Sequence, residues 1–346
     1  MQRCRIEGQG CAVWRFERPQ DDTPTHAGDS VIMSTDYEAV LLIAFGGPSS
    51  PEEIRPFLQR VTQGLRIPSE RLEEVAHHYE AVGGKSPLNE ITFRQTAAVR
   101  AALAKANIHI PVYAAFRNAA PFFVDTLKQM SGDGIRQALG FILSSHQTEA
   151  SWERYQKNIA DARAEIGDGA PQLDYCPGWH DHPLFIQSWV ERIEAVLAQL
   201  PADRRQSTPI VFSAHSVPSA MAAQSPYEVQ LEETARLIAD RLGLPKYSLA
   251  YQSRSGRPND PWLEPEIGTE IQRLANEGHP AIVVAPIGFV SDHVEVLYDL
   301  DIAAKNIAQA RGMTFYRVSC PNDHSTFIRM MVDVIEQKRK DTGNRG

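Results

Sequence analysis

Short runs of β-branched and other apolar residues alternate with longer amphipathic segments along nearly the whole chain, and this alternation restricts the fold more than any other feature. Val40-Leu41-Leu42-Ile43-Ala44-Phe45 is a continuous apolar run closed by Gly46-Gly47-Pro48, the pattern of a strand buried on both faces. Ser50-Pro51-Glu52-Glu53 then predicts a helix start, with an N-cap, a proline in the first turn and a capping-box glutamate. Pro56 should keep that helix short or kink it. Further strands are expected over 110–116, 136–144, 171–177, 209–215, 247–253, 280–288 and 313–319. Helices are expected over 69–82, 91–106, 120–131, 151–165, 183–199, 227–242, 264–277, 293–311 and 323–338. Within 227–242, Tyr227, Leu231, Ala235, Ile238 and Leu242 recur at steps of three and four and mark one apolar stripe.

Eight strands can close one barrel or form two open sheets. The irregular spacing and the long helical insertion at 52–106 favour two sheets of about four parallel strands each, flanked by helices. Residues 1–36, which include Asp21-Asp22-Thr23-Pro24, read as a loose polar extension, with Met33 just before the first strand. A boundary near Pro177-Gly178-Trp179 divides the rest into a first domain over 37–178 and a second over 179–319. The closing segment, 320–346, is expected to pack back on the first half. No internal repeat or low-complexity tract is visible.

A chain of 346 residues with 42% hydrophobic and 23% charged residues is an ordinary globular sequence large enough for two domains. Its net charge of −8 argues against nucleic acid as a partner. Cys4, Cys11, Cys176 and Cys320 form no C-x-x-C pair, so their spacing shows neither a disulfide framework nor a structural zinc site. No window approaches the roughly 20 apolar residues of a membrane span. The expected location is the cytoplasm, with transient contact at a membrane surface left open.

Several chemistries fail on motif grounds. No G-x-G-x-x-G follows a predicted strand, and Pro48 stands where that motif continues into a helix. Gly84-Lys85-Ser86 imitates the end of a phosphate loop, but Tyr79 occupies the position of the required first glycine. There is no G-x-S-x-G elbow and no H-E-x-x-H. Two strand ends remain. Ile210 to Ala214 is an apolar run that ends in His215, where an imidazole can bind a metal, move a proton or simply bond a backbone carbonyl. After the strand ending near Gly288, Asp292, Glu295 and Asp299 recur at steps of three and four, as on one helix face. Such acids can serve a cation or merely complement the helix dipole. Histidine with carboxylate, without thiolate, suits a first-row divalent metal that is loosely held.

At these segments the sequence resembles the ferrochelatase family. Ser213-Ala214-His215-Ser216-Val217-Pro218 and the stretch Pro286 to Asp299 are similar to its two metal-site signatures. Phe45-Gly46-Gly47-Pro48, Tyr79-Glu80 with Gly83-Gly84-Lys85-Ser86-Pro87, Pro226-Tyr227 with Gln230, and Tyr251-Gln252-Ser253 with Pro261-Trp262-Leu263 resemble others. The resemblance runs from about 38 to 335. It implies a chelatase-like fold of two Rossmann-like domains with a cleft between them. It also implies insertion of Fe²⁺, as substrate, into a porphyrin of haem biosynthesis, with release of two pyrrole protons.

Carried over by resemblance, His215 and Glu295 are the catalytic and metal pair, and Asp299 with Asp292 would form a secondary acidic path. Phe45, His78, Tyr79, Ser86 and Tyr155 (in Arg154-Tyr155-Gln156-Lys157) match or adjoin porphyrin-contacting positions. Phe45 can stack on the ring but cannot ligate iron. Ala303 replaces a glutamate common among relatives, which shortens the acidic path, and Asn118 stands where some have histidine. Some members hold an iron–sulfur cluster through carboxyl-terminal cysteines; this chain lacks them there, so no cluster is expected. Val61-Thr62-Gln63-Gly64 and Glu74 to Tyr79 look most like Gram-positive relatives, which leans the acceptor from protoporphyrin IX towards coproporphyrin III. The rivals are a cobalt or nickel chelatase acting on a related tetrapyrrole and a non-catalytic porphyrin or haem carrier. Neighbouring haem-pathway enzymes are the expected transient partners.

Overall fold

A computed structural model describes residues 37–64, 67–255 and 260–343; the expected extension at 1–36 lies outside the described residues. The first half contains β1 (Ala39–Ala44), α1 (Pro51–Val61), α2 (Ser69–Ala81), α3 (Leu88–Lys105), β2 (Val112–Phe116), α4 (Phe123–Gly132), β3 (Gln137–Ile142), α5 (Arg154–Ile166) and β4 (Gln172–Tyr175). There follow α6 (Pro183–Leu197), β5 (Ile210–His215), α7 (Ser219–Ala222), α8 (Tyr227–Leu242), β6 (Ser248–Gln252), α9 (Ile267–Asn276) and β7 (Ala281–Ala285). The chain closes with α10 (Val294–Tyr298), α11 (Lys305–Ala310), β8 (Thr314–Arg317) and α12 (Ser325–Gly343). Two π-helical segments, Glu149–Glu153 and Asp299–Ala304, precede α5 and α11.

The strands form two four-stranded parallel sheets, in the orders β2-β1-β3-β4 and β6-β5-β7-β8. Both sheets share one topology although the sequence shows no repeat. The continuous apolar run of β1 is explained by burial on both faces. Val40 and Leu42 pack in one cluster with Val99 and Leu103 of α3. Leu41 and Ile43 pack in another with Leu127 and Met130 of α4 and Ile159 of α5. The first cluster runs on without a break into Phe212 of β5 and Val283 of β7, so one core serves both sheets. Trp179 stacks on Phe141 of β3 and meets Phe185 of α6 and Phe327 of α12 edge-on. Helix α12 lies against both α3 and α6, and Tyr37, just before β1, is within 3.2 Å of Thr342 Oγ1. Among the described residues no helix is long and apolar enough to cross a membrane.

Three local expectations change. Helix α1 continues from Pro51 to Val61 with Pro56 inside it. The backbone bond that Pro56 removes is the one to Glu52 in the first turn, so the loss is confined to the helix end. The capping box does not form. Ser50 is the N-cap without a side-chain bond, and Glu53 instead accepts the Ser49 amide at 2.8 Å. The single helix expected over 293–311 is α10, a π segment and α11 in succession.

Candidate active site

In an open parallel sheet a crevice forms where connections from neighbouring strands leave to opposite sides. With these strand orders the crevices lie at the carboxyl ends of β1 and β3 in one sheet and of β5 and β7 in the other. All four ends meet on one cavity of about 310 Å³, lined by Ala44 to Gly46, Leu143 to His146, His215 with Val217, and Gly288 to Ser291.

His215 is the last residue of β5, and Glu295 the second of α10. Their side chains are brought together, Nε2 to Oε1 at 3.6 Å, and remain 31% and 43% exposed, so both face the cavity and can be reached. The Nδ1 atom of His215 is hydrogen-bonded to the Ser216 carbonyl. A carbonyl only accepts, so Nδ1 carries the proton and the lone pair of the neutral ring sits on Nε2, towards Glu295. The backbone around the pair is fixed. Tyr227 Oη donates to the His215 carbonyl at 2.9 Å. Buried Gln252 accepts from Ser213 Oγ at 2.9 Å and donates from Nε2 to the Glu295 carbonyl at 2.9 Å. Gly288 is required for close approach, since a Cβ there would stand 2.5 Å from Ala214 Cβ.

The electrostatics follow from this packing. Burial alone would depress the His215 imidazolium, but the Glu295 carboxylate outweighs it and raises the pKa above the usual value. Burial pushes Glu295 up, yet the His215 charge and then that of His293 hold its carboxyl well below the ordinary range. His293 caps α10 by accepting the Glu295 amide at Nδ1, 3.2 Å away. Asp299 is hydrogen-bonded by Ser253, and burial pushes its pKa up to about 6. His146, buried at the cavity wall, has its pKa pushed down to about 3, chiefly by burial, so it stays neutral. Since Thr234 Oγ1 donates to the His180 carbonyl, it accepts from His146 Nε2, which leaves Nδ1 to accept from Ser145.

Of the residues singled out in the sequence, Phe45, Tyr79, Ser86, Tyr155, His215 and Glu295 all line the cavity. His78 does not. It stacks on Tyr298 at 3.7 Å and 13°, tying α2 to the helix that carries Glu295. Asp292 is a correction. The helix begins at Val294, so Asp292 lies before it and shares no face with Glu295 and Asp299. Its carboxylate binds Arg317 at 2.7 Å, Asn322 Nδ2 at 2.8 Å and the Cys320 amide at 3.1 Å. Those partners make it a structural brace. Tyr227, His146 and His293 were missed as contributors. Tyr227 stood in an apolar stripe and in a family-like motif with Pro226 and Gln230, neither of which singled out its hydroxyl.

Comparison with known proteins identifies the family. The chain is 44% identical over 308 residues to the coproporphyrin III ferrochelatase of Nocardia farcinica, covering 87% of this chain and 88% of that protein. It is 41% identical to the enzyme of the same name from Mycolicibacterium smegmatis, covering 87% and 89%. A ferrochelatase from Rhodopirellula baltica is 38% identical, covering 87% and 86%. Among solved structures, SirB from Bacillus subtilis with Fe³⁺ shares the fold, with a TM-score of 0.55 at 10% identity over 89% of this chain and 98% of SirB. A sequence model of the ferrochelatase family matches residues 37–339, and the chain belongs to that family.

Proposed function

We propose that this enzyme inserts Fe²⁺ into coproporphyrin III, the tetra-acid porphyrin named for its Nocardia and Mycolicibacterium relatives. The observation that carries the reading is the 3.6 Å approach of His215 Nε2 to Glu295 Oε1 on the wall of a cavity shared by both sheets. The reaction exchanges two pyrrole protons for one dication, so the charge balances and the protein must accept protons and take water from the metal. Neutral His215 presents a free lone pair at Nε2 and takes a pyrrole proton. Ionised Glu295 draws Fe²⁺ to the ring centre and stabilises the imidazolium that forms. Asp299, with a pKa near 6, can take up and release the second proton close to neutrality. Phe45, Tyr79 and Tyr155 supply apolar contact for the macrocycle, whose binding supports the bending that exposes its nitrogens. Asp292 is left out of the acidic path because Arg317 holds it. We assign the reaction to the cytoplasm, supported by the buried free thiols of Cys176 and Cys320, which suit a reducing compartment.

The test is anaerobic insertion of Fe²⁺ into coproporphyrin III and protoporphyrin IX, followed optically, with Co²⁺ and Ni²⁺ as competitors. Coproporphyrin III should turn over faster, with Fe²⁺ preferred. Turnover of neither porphyrin would leave a carrier, and preference for Co²⁺ or Ni²⁺ would replace iron in the reading.

A further inference from the structure

Arg117 follows directly on β2, and its amide donates to the carbonyl of Ala44, on the cavity wall, at 3.0 Å. The next residue is held as firmly. Asn118 donates to the Phe45 carbonyl from its amide at 3.0 Å and from Nδ2 at 3.3 Å, and its own carbonyl accepts from Arg60 Nε at 3.0 Å. The backbone is therefore anchored beside the cavity, while the half-buried Arg117 guanidinium makes no hydrogen bond or ion pair among the described residues. It lies in electrostatic range of the Tyr155 hydroxyl on the cavity wall, of Arg154 and of Glu149. Glu149 is already engaged by Arg154, with Nε to Oε1 at 3.1 Å. Burial lowers the pKa of Arg117, and the charge of Arg154 adds to that effect.

A guanidinium stays charged at any physiological pH, and one partly withdrawn from water without a protein acceptor is ready to take up an anion. Two arginines nearby have found acceptors: Arg60 in the Asn118 carbonyl and Arg154 in Glu149. Arg117 is built into place without one, next to a second cation, and an anion arriving with the substrate would meet both needs. A planar carboxylate matches the fork of a guanidinium in two parallel bonds. Porphyrins of this class carry carboxylates on flexible arms at the ring rim. Phe45 and Tyr155 line the cavity, and Arg117, outside its lining, lies in electrostatic range of Tyr155, where a carboxylate arm reaching beyond the ring could meet it.

We propose that Arg117 receives one peripheral carboxylate of the porphyrin and so selects for an acidic substituent at that edge of the ring. This rests on the porphyrin reading above. The experiment is fluorescence titration of the full chain, and of Arg117→Met and Arg117→Lys, with free-base coproporphyrin III and with its tetramethyl ester in the same dilute detergent. Arg117→Met should weaken binding of the acid about tenfold, the scale of one charged hydrogen-bonded contact, and leave the ester unchanged. Arg117→Lys should recover part of the loss, added salt should narrow the acid–ester gap, and KM should rise with kcat unchanged. Equal weakening of acid and ester, or no change in either, overturns the proposal. Failure of the unmodified chain to bind either porphyrin overturns the porphyrin reading, and this inference with it.

Discussion

The Nε2 atom of His215 lies 3.6 Å from Oε1 of Glu295, with the opposite ring nitrogen bonded to a backbone carbonyl. That arrangement sets the acid side of the pH profile. Glu295 raises the pKa of His215, so protonation of the imidazole, which removes the base, begins at a higher pH than for a free histidine. Glu295→Gln removes the largest influence that offsets burial, and leaves only the Ser216 carbonyl and the Asp299 charge to oppose it. The acid limb of kcat/KM should move to lower pH even as its plateau falls, and NMR titration of the His215 ring should show the same direction. A limb that stays put would separate His215 from the rate-determining proton transfer.

His215→Ala removes the lone pair but leaves Phe45, Tyr79, Ser86 and Tyr155 lining the cavity. Iron insertion should fall by about 10²–10⁴, the usual contribution of a positioned acid–base group, while porphyrin binding stays within a few-fold. Fluorescence binding and single-turnover insertion measure the two quantities separately.

Gly288 admits no side chain. A methyl there meets Ala214 at 2.5 Å from Cβ and 2.7 Å from Cα, one residue before His215. Gly288→Ala should lower stability by about 1–3 kcal/mol, as overpacking does. Because the strain falls beside the base, kcat should fall further than stability alone explains. Thermal melts and kinetics on the same preparation test this.

Arg317 holds Asp292 at 2.7 Å and Asp301 at 2.5 Å, with its side chain 15% exposed, and so braces the segment carrying Glu295 from both ends. Arg317→Met leaves two carboxylates without their cation and should cost about 3 kcal/mol in chemical denaturation. Combined with Asp292→Asn, the loss should be smaller than the sum of the two.

The inner strands were legible because burial on both faces writes them as short apolar runs, whereas the edge strands β4 and β8 are half exposed and more polar; eight were expected and eight form. The helix after Glu295 was not. Counting steps of three and four assumes α-helical geometry, and the wider turn at Asp299–Ala304 leaves no mark on such a count. The same count placed Asp292 beside Glu295, whereas the cap at His293 separates them. His215 and Glu295 stood out because they follow apolar strands. Phe45, Tyr79, Ser86 and Tyr155 came only from family resemblance, since aromatic and hydroxyl side chains at strand ends and on helices look like ordinary core. Arg117 belongs to no motif, and its missing partner is visible only in three dimensions.

The return of α12 to lie on both α3 and α6 has a consequence for biosynthesis. A ribosome finishes the first sheet long before it makes residues 325–343, so one flank of α3 waits uncovered until α12 has been made. Premature termination before Ser325 should therefore damage the amino-terminal half as well as the carboxyl-terminal one, leaving a nascent chain with exposed apolar surface for chaperones or proteases to handle.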